Sequence, residues 1–248
     1  GADPKNGTGR GVVSTANYIA RKYGVHSAMP ISRAYRLCPP AIFLPVNGAL
    51  YSRVSRAVMA ILQNFTKRYK SKFEQVGIDE AYIDLAEGLG TMALAKRIKQ
   101  KIYSQEKFTA SIGIGPNMLI AKIASDFQKP DGLTIVDKKD VQKFLNPLPV
   151  RKLPGVGPKT ELELKKLGIY IVADLQRMPQ SELYEQFGQH GITLYEHARG
   201  IDNSEVAEET ETKSISEEHT FEKDTASAQE ILPVLFSLAK SVLHTAHT

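Results

Sequence analysis

The chain has 248 residues and a mass of 27.4 kDa, enough for one large hydrophobic core or two to three small ones and too long for a miniprotein stapled by metal or disulfides. Hydrophobic residues make up 42% and charged residues 24%, which excludes disorder over most of the length, and no apolar run reaches the roughly 18 residues of a membrane-spanning helix. The net charge of +5 conceals a block at residues 203–224 with eight acids and two bases, so the remainder carries +11, an excess that favours an anionic partner such as nucleic acid.

The first 48 residues are rich in Gly, Pro and Arg. Ser14 to Tyr23 reads as a helix closed by Gly24, and Ile31 to Leu37 as a second before Pro39 and Pro40. From 49 to 140 helix and strand patterns alternate. Leu50, Val54, Val58, Leu62 and Phe65 recur every three or four residues and form one apolar helix face. Phe73 to Ile78 and Ala81 to Leu85 read as short strands, and Leu94, Ile98 and Ile102 mark another helix. Phe108 to Ile114 is a predicted strand, Asn117 caps a helix through Gln128, and Leu133 to Val136 closes the segment as a strand. This pattern is α+β, a sheet with helices on one face. From 141 to 202 the chain reads as short helices punctuated by Pro and Gly. Residues 203–214 are acidic and aperiodic, as in a tether. The stretch from 215 to 248 begins with a strand-like HTFEKDT and continues as a helix from Ser227 to Leu243. One strand and one helix cannot bury a core alone, so this end is expected to begin a domain that continues further.

The strongest chemical signal is QVGIDEAYIDL at residues 75–85. Asp79 and Glu80 are adjacent carboxylates among strand formers, and they can share a site only where the backbone turns, because successive strand side chains point to opposite faces. Such a pair suits Mg²⁺, which takes one or two carboxylates and completes its shell with water and phosphate oxygens. The plainer alternative is a polar hairpin tip. Asp84 reads as a solvent-facing strand residue.

The second signal is RKLPGVGPKTELELKKLGI at residues 151–169. Gly155 and Gly157 allow a tight turn around Val156, Pro158 suits the first turn of the next helix, and Leu162, Leu164 and Leu167 give that helix an apolar side. Exposed amides at the helix start, with Lys159 and Thr160 beside them, form a seat for a phosphate. A helix-hairpin-helix grips a DNA backbone in this way without reading sequence; the alternative is an ordinary helix connector. Two basic groups complete the inventory. Tyr18, Arg21 and Lys22 share a helix face, and Lys122 and Lys129 lie on or just after the helix that starts at Asn117. Exposed cations on helices are routine, so each is weak alone.

Taken in order, the strings VSTANYIARKYGV, AMPISRA, GIDEAYID, SIGIGPNMLIAKIASDFQKPDG and LPGVGPKTELELKKLGI resemble the Y-family translesion DNA polymerases, closest to the DNA polymerase IV type, over essentially the whole chain. The resemblance implies fingers at 1–48, a palm at 49–140, a helical thumb with a helix-hairpin-helix at 141–202, a linker at 203–214 and the start of an α/β little finger at 215–248. It implies that Asp79 and Glu80 ligate two Mg²⁺ ions, and that Tyr18, Arg21 and Lys129 hold the incoming dNTP. Gly155, Val156, Gly157, Lys159 and Thr160 would hold primer–template DNA. A sliding clamp is an expected partner of the part of the little finger not present, and a monomer is the expected state.

The sequence also departs from the family. The palm's Asp-x-Asp-x-Phe-Phe strand, which supplies a bridging aspartate and the aromatic gate against ribonucleotides, does not occur, and the family serine before Asp-Glu is Gly77. The chain opens without an initiator methionine, where the family is already entering the fingers, and is therefore expected to be a fragment with weak or no polymerase activity. A non-catalytic duplex-binding module acting through the helix-hairpin-helix is the alternative, and a palm-type nucleotidyl cyclase is a third reading that the helix-hairpin-helix opposes. The single cysteine, Cys38, and a polar first segment without a signal-peptide core point to a cytoplasmic location.

Overall fold

Helices with one apolar face bury it wherever another element offers a matching surface, and this organises two units in the computed structural model, which describes residues 1–85, 90–207 and 213–247. One unit joins the two ends of the chain, residues 1–51 and 213–247; the other spans 52–207. No described helix is long and apolar enough to cross a membrane.

In the first unit, α1 (Tyr18–Lys22) is shorter than its apolar pattern suggests because Asn17 is extended and caps it, accepting the Ala20 N–H at 2.9 Å. α2 (Ile31–Leu37) has the expected span. Val13, Val25, Met29, Ile31, Ala34 and Cys38 form the core, so the cysteine is a packing residue. The predicted strand HTFEKDT does not form: residues 219–225 belong to no ladder. An extended run becomes a strand only when a neighbour pairs its amides and carbonyls, and among the described residues none does. The His219 and Phe221 rings instead meet edge to face at 4.9 Å. Two acids of the negative block are paired nearby, Glu222 with Lys5 at 3.3 Å and Asp224 with Arg10 at 2.7 Å; both carboxylates are exposed, so the pairs add little stability. α11 (Ala228–Ala246) follows. Residues 208–212 of the expected tether lie outside the described residues.

In the second unit, α3 (Gly48–Tyr69) and α4 (Thr91–Glu106) cover one face of the strands. Ile61, Leu94, Ile98 and Ile102 are buried there, with Val58, Leu62 and Phe65 of α3 and Ile83, Leu85, Ala110 and Ile112 packed against them. β1 (Lys72–Gln75) and β2 (Ala81–Asp84) form an antiparallel hairpin with Phe73 opposite Ile83 and Glu74 opposite Tyr82. Alternation therefore sends Ile83 into the core and presents Glu74 and Tyr82 on the other face. β1 ends before Val76 because the Val76 and Gly77 amides both turn back to the Glu80 carbonyl, at 3.1 and 3.3 Å. β3 (Ile112–Ile114) and β4 (Leu133–Ile135) make a separate parallel ladder. β3 is shorter than the predicted run from Phe108, and the Ala110 carbonyl accepts from the Lys99 ammonium at 2.5 Å.

α5 (Met118–Phe127), capped by Asn117 as predicted, lies against β3. Gly113 permits this: a Cβ there would stand 2.1 Å from the Ala121 carbonyl oxygen and 2.2 Å from the Ser125 nitrogen. Leu119, Ile120, Ile123 and Ala124 of α5 belong to the same core as the helices beyond residue 140. Those are α6 (Val141–Leu145), α7 (Pro158–Lys166), α8 (Val172–Arg177), α9 (Gln180–Phe187) and α10 (Gln189–Ala198). Leu145, Leu164, Leu175, Leu183 and Leu194 are fully buried among them. Because backbone atoms face Gly113, relaxation by rotamer change is closed off. Gly113→Ala is expected to cost at least about 3 kcal/mol, read as a lowered midpoint in urea unfolding; an unchanged midpoint would refute the close packing of α5 on β3.

Candidate active site and nucleic-acid interface

The β1–β2 hairpin places Asp79 and Glu80 at its tip. Residues 77–79 form the turn, the Gln75 side-chain amide donates to the Gly77 carbonyl at 2.9 Å, and both carboxylates are exposed. A Cβ on Gly77 would lie 3.7 Å from an Asp79 carboxylate oxygen, ordinary contact, so this turn has room for the family's serine. The Glu80 carboxylate is ion-paired with the Lys122 ammonium of α5. Two adjacent carboxylates suit the Mg²⁺ donor set. Among the described residues, however, no group of three or more acidic, His or Cys side chains could hold a metal.

α5 extends this site along its length. Lys122 and Asp126 are one helical turn apart, and Asp126 is ion-paired with Lys129, just beyond the helix end. Facing them on β2 is Tyr82, whose hydroxyl is pushed above its ordinary value by burial first and then by the negative charges of Glu80, Asp202, Glu74 and Asp126. Tyr82 therefore stays neutral in a ring of carboxylates that Lys122 and Lys129 balance. The segment after α10 closes the ring. Asp202 accepts the Leu119 N–H at 2.8 Å and the Ser204 N–H at 3.0 Å. The Ala207 amide donates to Glu74 at 2.9 Å, and Lys72 pairs with Glu205 at 3.3 Å.

The phosphate seat lies in the same unit. A short 3₁₀ turn at Val150–Lys152 leads through Leu153 and Val156, both buried, to α7. Gly155 has φ +93, a left-handed conformation that favours glycine, and Gly157 caps α7 with Pro158 in its first turn. The first intrahelical bond runs from Glu161 N–H to Gly157 O at 2.9 Å, so the amides of Lys159 and Thr160 precede the ladder, at the positive end of the helix. Lys159 is exposed beside them. Arg151 braces the loop by donating to the Val156 carbonyl, with its Nε 3.6 Å from Glu161. In the other unit, Tyr18 is half exposed, with the Arg21 guanidinium 5.7 Å from its ring centroid and the Arg21 Nε donating to the Ala16 carbonyl at 2.9 Å.

In sequence and fold the chain is similar to known proteins. The impB/mucB/samB family model covers residues 4–126, and the model described as DNA polymerase-iota, thumb domain, covers residues 151–202. DNA polymerase IV 2 of Methanosarcina mazei is 50% identical over 98% of this chain and 66% of its own length. DNA polymerase IV of Methanoculleus marisnigri is 48% identical over 99% of this chain and 68% of its own length. A solved Y-family DNA polymerase chimera superposes with a TM-score of 0.80 at 32% identity, over 96% of this chain and 70% of its own. The chain belongs to the Y-family of DNA polymerases, a family of DNA-directed DNA polymerases. It spans about two thirds of the length of the curated relatives it matches.

Several residues of the candidate site escaped sequence reasoning. Lys122 was visible as a cation, but nothing local marks it as the partner of Glu80, 42 positions away. Asp126, Tyr82 and Asp202 join through tertiary packing alone. The Asp202 contact carries a pH signature. Burial raises its carboxyl, but hydrogen bonds from Ser204 and Leu119, with His197 nearby, outweigh that and hold it below the ordinary value. A lowered folded pKa gives stability that is fully present above the unfolded value, about 3.9, and is lost as the pH falls through the folded one. Asp202→Asn is expected to lose about 1 kcal/mol at neutral pH and to flatten the decline of Tm below about pH 4; an acid profile parallel to that of the unmodified chain would overturn this assignment.

Proposed function

We propose that this chain performs template-directed nucleotidyl transfer in translesion DNA synthesis, joining a dNTP to a primer 3′-hydroxyl with low fidelity. The observation that carries the reading is the row of alternating charges in which Glu80, beside Asp79 at an exposed hairpin tip, pairs with Lys122, with Asp126 on α5 and Lys129 just beyond it paired in turn. Attack on an α-phosphate develops negative charge on entering and leaving oxygens, and catalysis consists chiefly of positioning the groups and stabilising that charge. Asp79 and Glu80 would hold Mg²⁺, which when bound supplies Lewis-acid stabilisation of the phosphate oxygens. Lys129 would neutralise the triphosphate, with Tyr18 and Arg21 assigned to the same group. The α7 amides with Lys159 and Thr160 would grip the backbone of primer–template DNA independently of sequence.

Only two carboxylates meet at the described tip, so a second ion would lack a bridging ligand from the described residues. Primer extension by the 248-residue chain in Mg²⁺ is therefore expected to be weak, and Asp79→Ala or Glu80→Ala to abolish what remains. Lys129→Ala should raise the KM for dNTP by about tenfold, the loss of one charge-assisted contact, with duplex binding unchanged. Extension that survives both carboxylate substitutions would sink the reading.

The thumb seat favours a second reading, a duplex-binding module without catalysis, because its hairpin is built on the core through Leu153 and Val156 and needs neither carboxylate. In that case a gel shift would be salt-dependent, indifferent to Asp79→Ala and weakened by Lys159→Ala, while no extension occurs at any Mg²⁺ concentration.

A further inference from the structure

Lys99, on α4, has no part in the chemistry above, yet its ammonium is the most heavily bonded cation among the described residues of the second unit. The side chain is only 17% exposed. The Nζ donates to the carbonyls of Ala110 at 2.5 Å, Asp131 at 2.8 Å and Gly132 at 3.3 Å, and pairs with the Asp131 carboxylate. An ammonium has three protons, so every one is committed to the two short segments that flank the β3–β4 ladder. A charge is retained in such a half-dry place only when fully paired.

We infer that Lys99 is a positioning residue for Lys129, holding the turn that sets where the Lys129 ammonium can reach a triphosphate. This rests on the reading of Lys129 as a triphosphate contact. Lys129 follows the last residues of α5 and directly precedes Pro130, Asp131 and Gly132. On its helix side it is fixed by α5, which Gly113 holds against β3. On its other side the chain is fixed by the Lys99 cluster, by the Gly132 amide donating to Ser111 Oγ at 3.2 Å, and by the Ile112 amide donating to the Gly132 carbonyl at 3.0 Å. Of these ties only Lys99 is a charge reaching in from α4. Its four acceptors span both segments, so removing it releases Asp131 on both its carbonyl and carboxylate and leaves Gly132 held only by Ser111 and Ile112. Among the described residues the Lys129 side chain is anchored by the Asp126 carboxylate, one turn back on the same segment, and its reach therefore depends on the backbone beneath it. Loosening that backbone by about 1 Å is enough to lose most of a well-aimed contact.

The test is equilibrium binding of dATP with Mg²⁺ to the full chain and to Lys99→Met, Lys99→Arg, Lys129→Ala and Asp131→Asn, with duplex DNA binding as a control. Lys99→Met keeps the stem and removes the charge; it is expected to weaken dATP by about tenfold, as Lys129→Ala does, with DNA binding unchanged. Lys99→Arg should recover part of the loss, which a purely packing role would not produce. Full dATP affinity in Lys99→Met beside a loss in Lys129→Ala would overturn this inference and leave the polymerase reading intact. An unchanged Lys129→Ala, or no dATP binding by the unmodified chain, would overturn the reading of Lys129 and this inference with it. If Lys99→Met fails to fold, Asp131→Asn decides: weakened dATP binding supports the positioning role, and unaltered binding refutes it.

Discussion

The structure depends on one close approach, the contact of α5 with β3 at Gly113. With no side chain at that position the helix axis comes near enough for Leu119, Ile120, Ile123 and Ala124 to be buried from the other side by the helices that follow. A single helix thus belongs to the sheet layer and to the helical bundle at once. Burial of four apolar side chains on one helix is worth several kcal/mol, and it is gained only if the helix cannot lift from the strand. The rigidity of α5 has a chemical use, because Lys122 and Asp126 ride on it and Lys129 follows its end.

Rigidity of this kind matters because the charges at the site are nearly balanced. Glu80, Glu74, Asp126 and Asp202 all act on Tyr82, and at ordinary pH they would repel one another more strongly without Lys122 and Lys129, which pair with Glu80 and Asp126. In half-exposed surroundings each pair is weak alone. A row of them on two rigid elements fixes where negative charge is concentrated and where it is relieved. A phosphate ligand would compete for the lysines, and a cation for the carboxylates, so the same row can exchange internal partners for external ones without a change of fold.

Sequence patterns revealed most of the helices because their evidence is local. Asn117 announces a helix start, and Leu94, Ile98 and Ile102 of α4 recur at helical spacing. The Asp79–Glu80 turn and the Gly155 hairpin were legible for the same reason, since their chemistry lies within a few residues. Strand lengths were not. β3 shrank from seven predicted residues to Ile112–Ile114, and HTFEKDT formed no strand, because strand formation is decided by a partner that local sequence does not name. The partners of Glu80, Tyr82 and Asp202 were invisible for the same physical reason. Lys122, Asp126 and Asp202 look like ordinary surface charges until α5 is set against the hairpin.

Asp202 shows how the two candidate surfaces of this unit are mechanically related. It stands just after α10, at the end of the bundle that carries the phosphate seat, and its carboxylate receives the Leu119 amide at the start of α5. The Asn117 side chain donates back to the Gly200 carbonyl at 2.8 Å, so the cap of α5 and the exit of the bundle are tied in both directions. Leu164 and Leu194 of the bundle lie in the same core as Leu119 and Ile120 of α5, so the packing behind the phosphate seat is continuous with that of α5. Movement of Lys122 is then movement of the whole helix, which Gly113 and the buried face of α5 resist. The start of α5 is therefore held by the end of the bundle as well as by the sheet, so the helix that carries Lys122 and Asp126 is fixed from both of its neighbours.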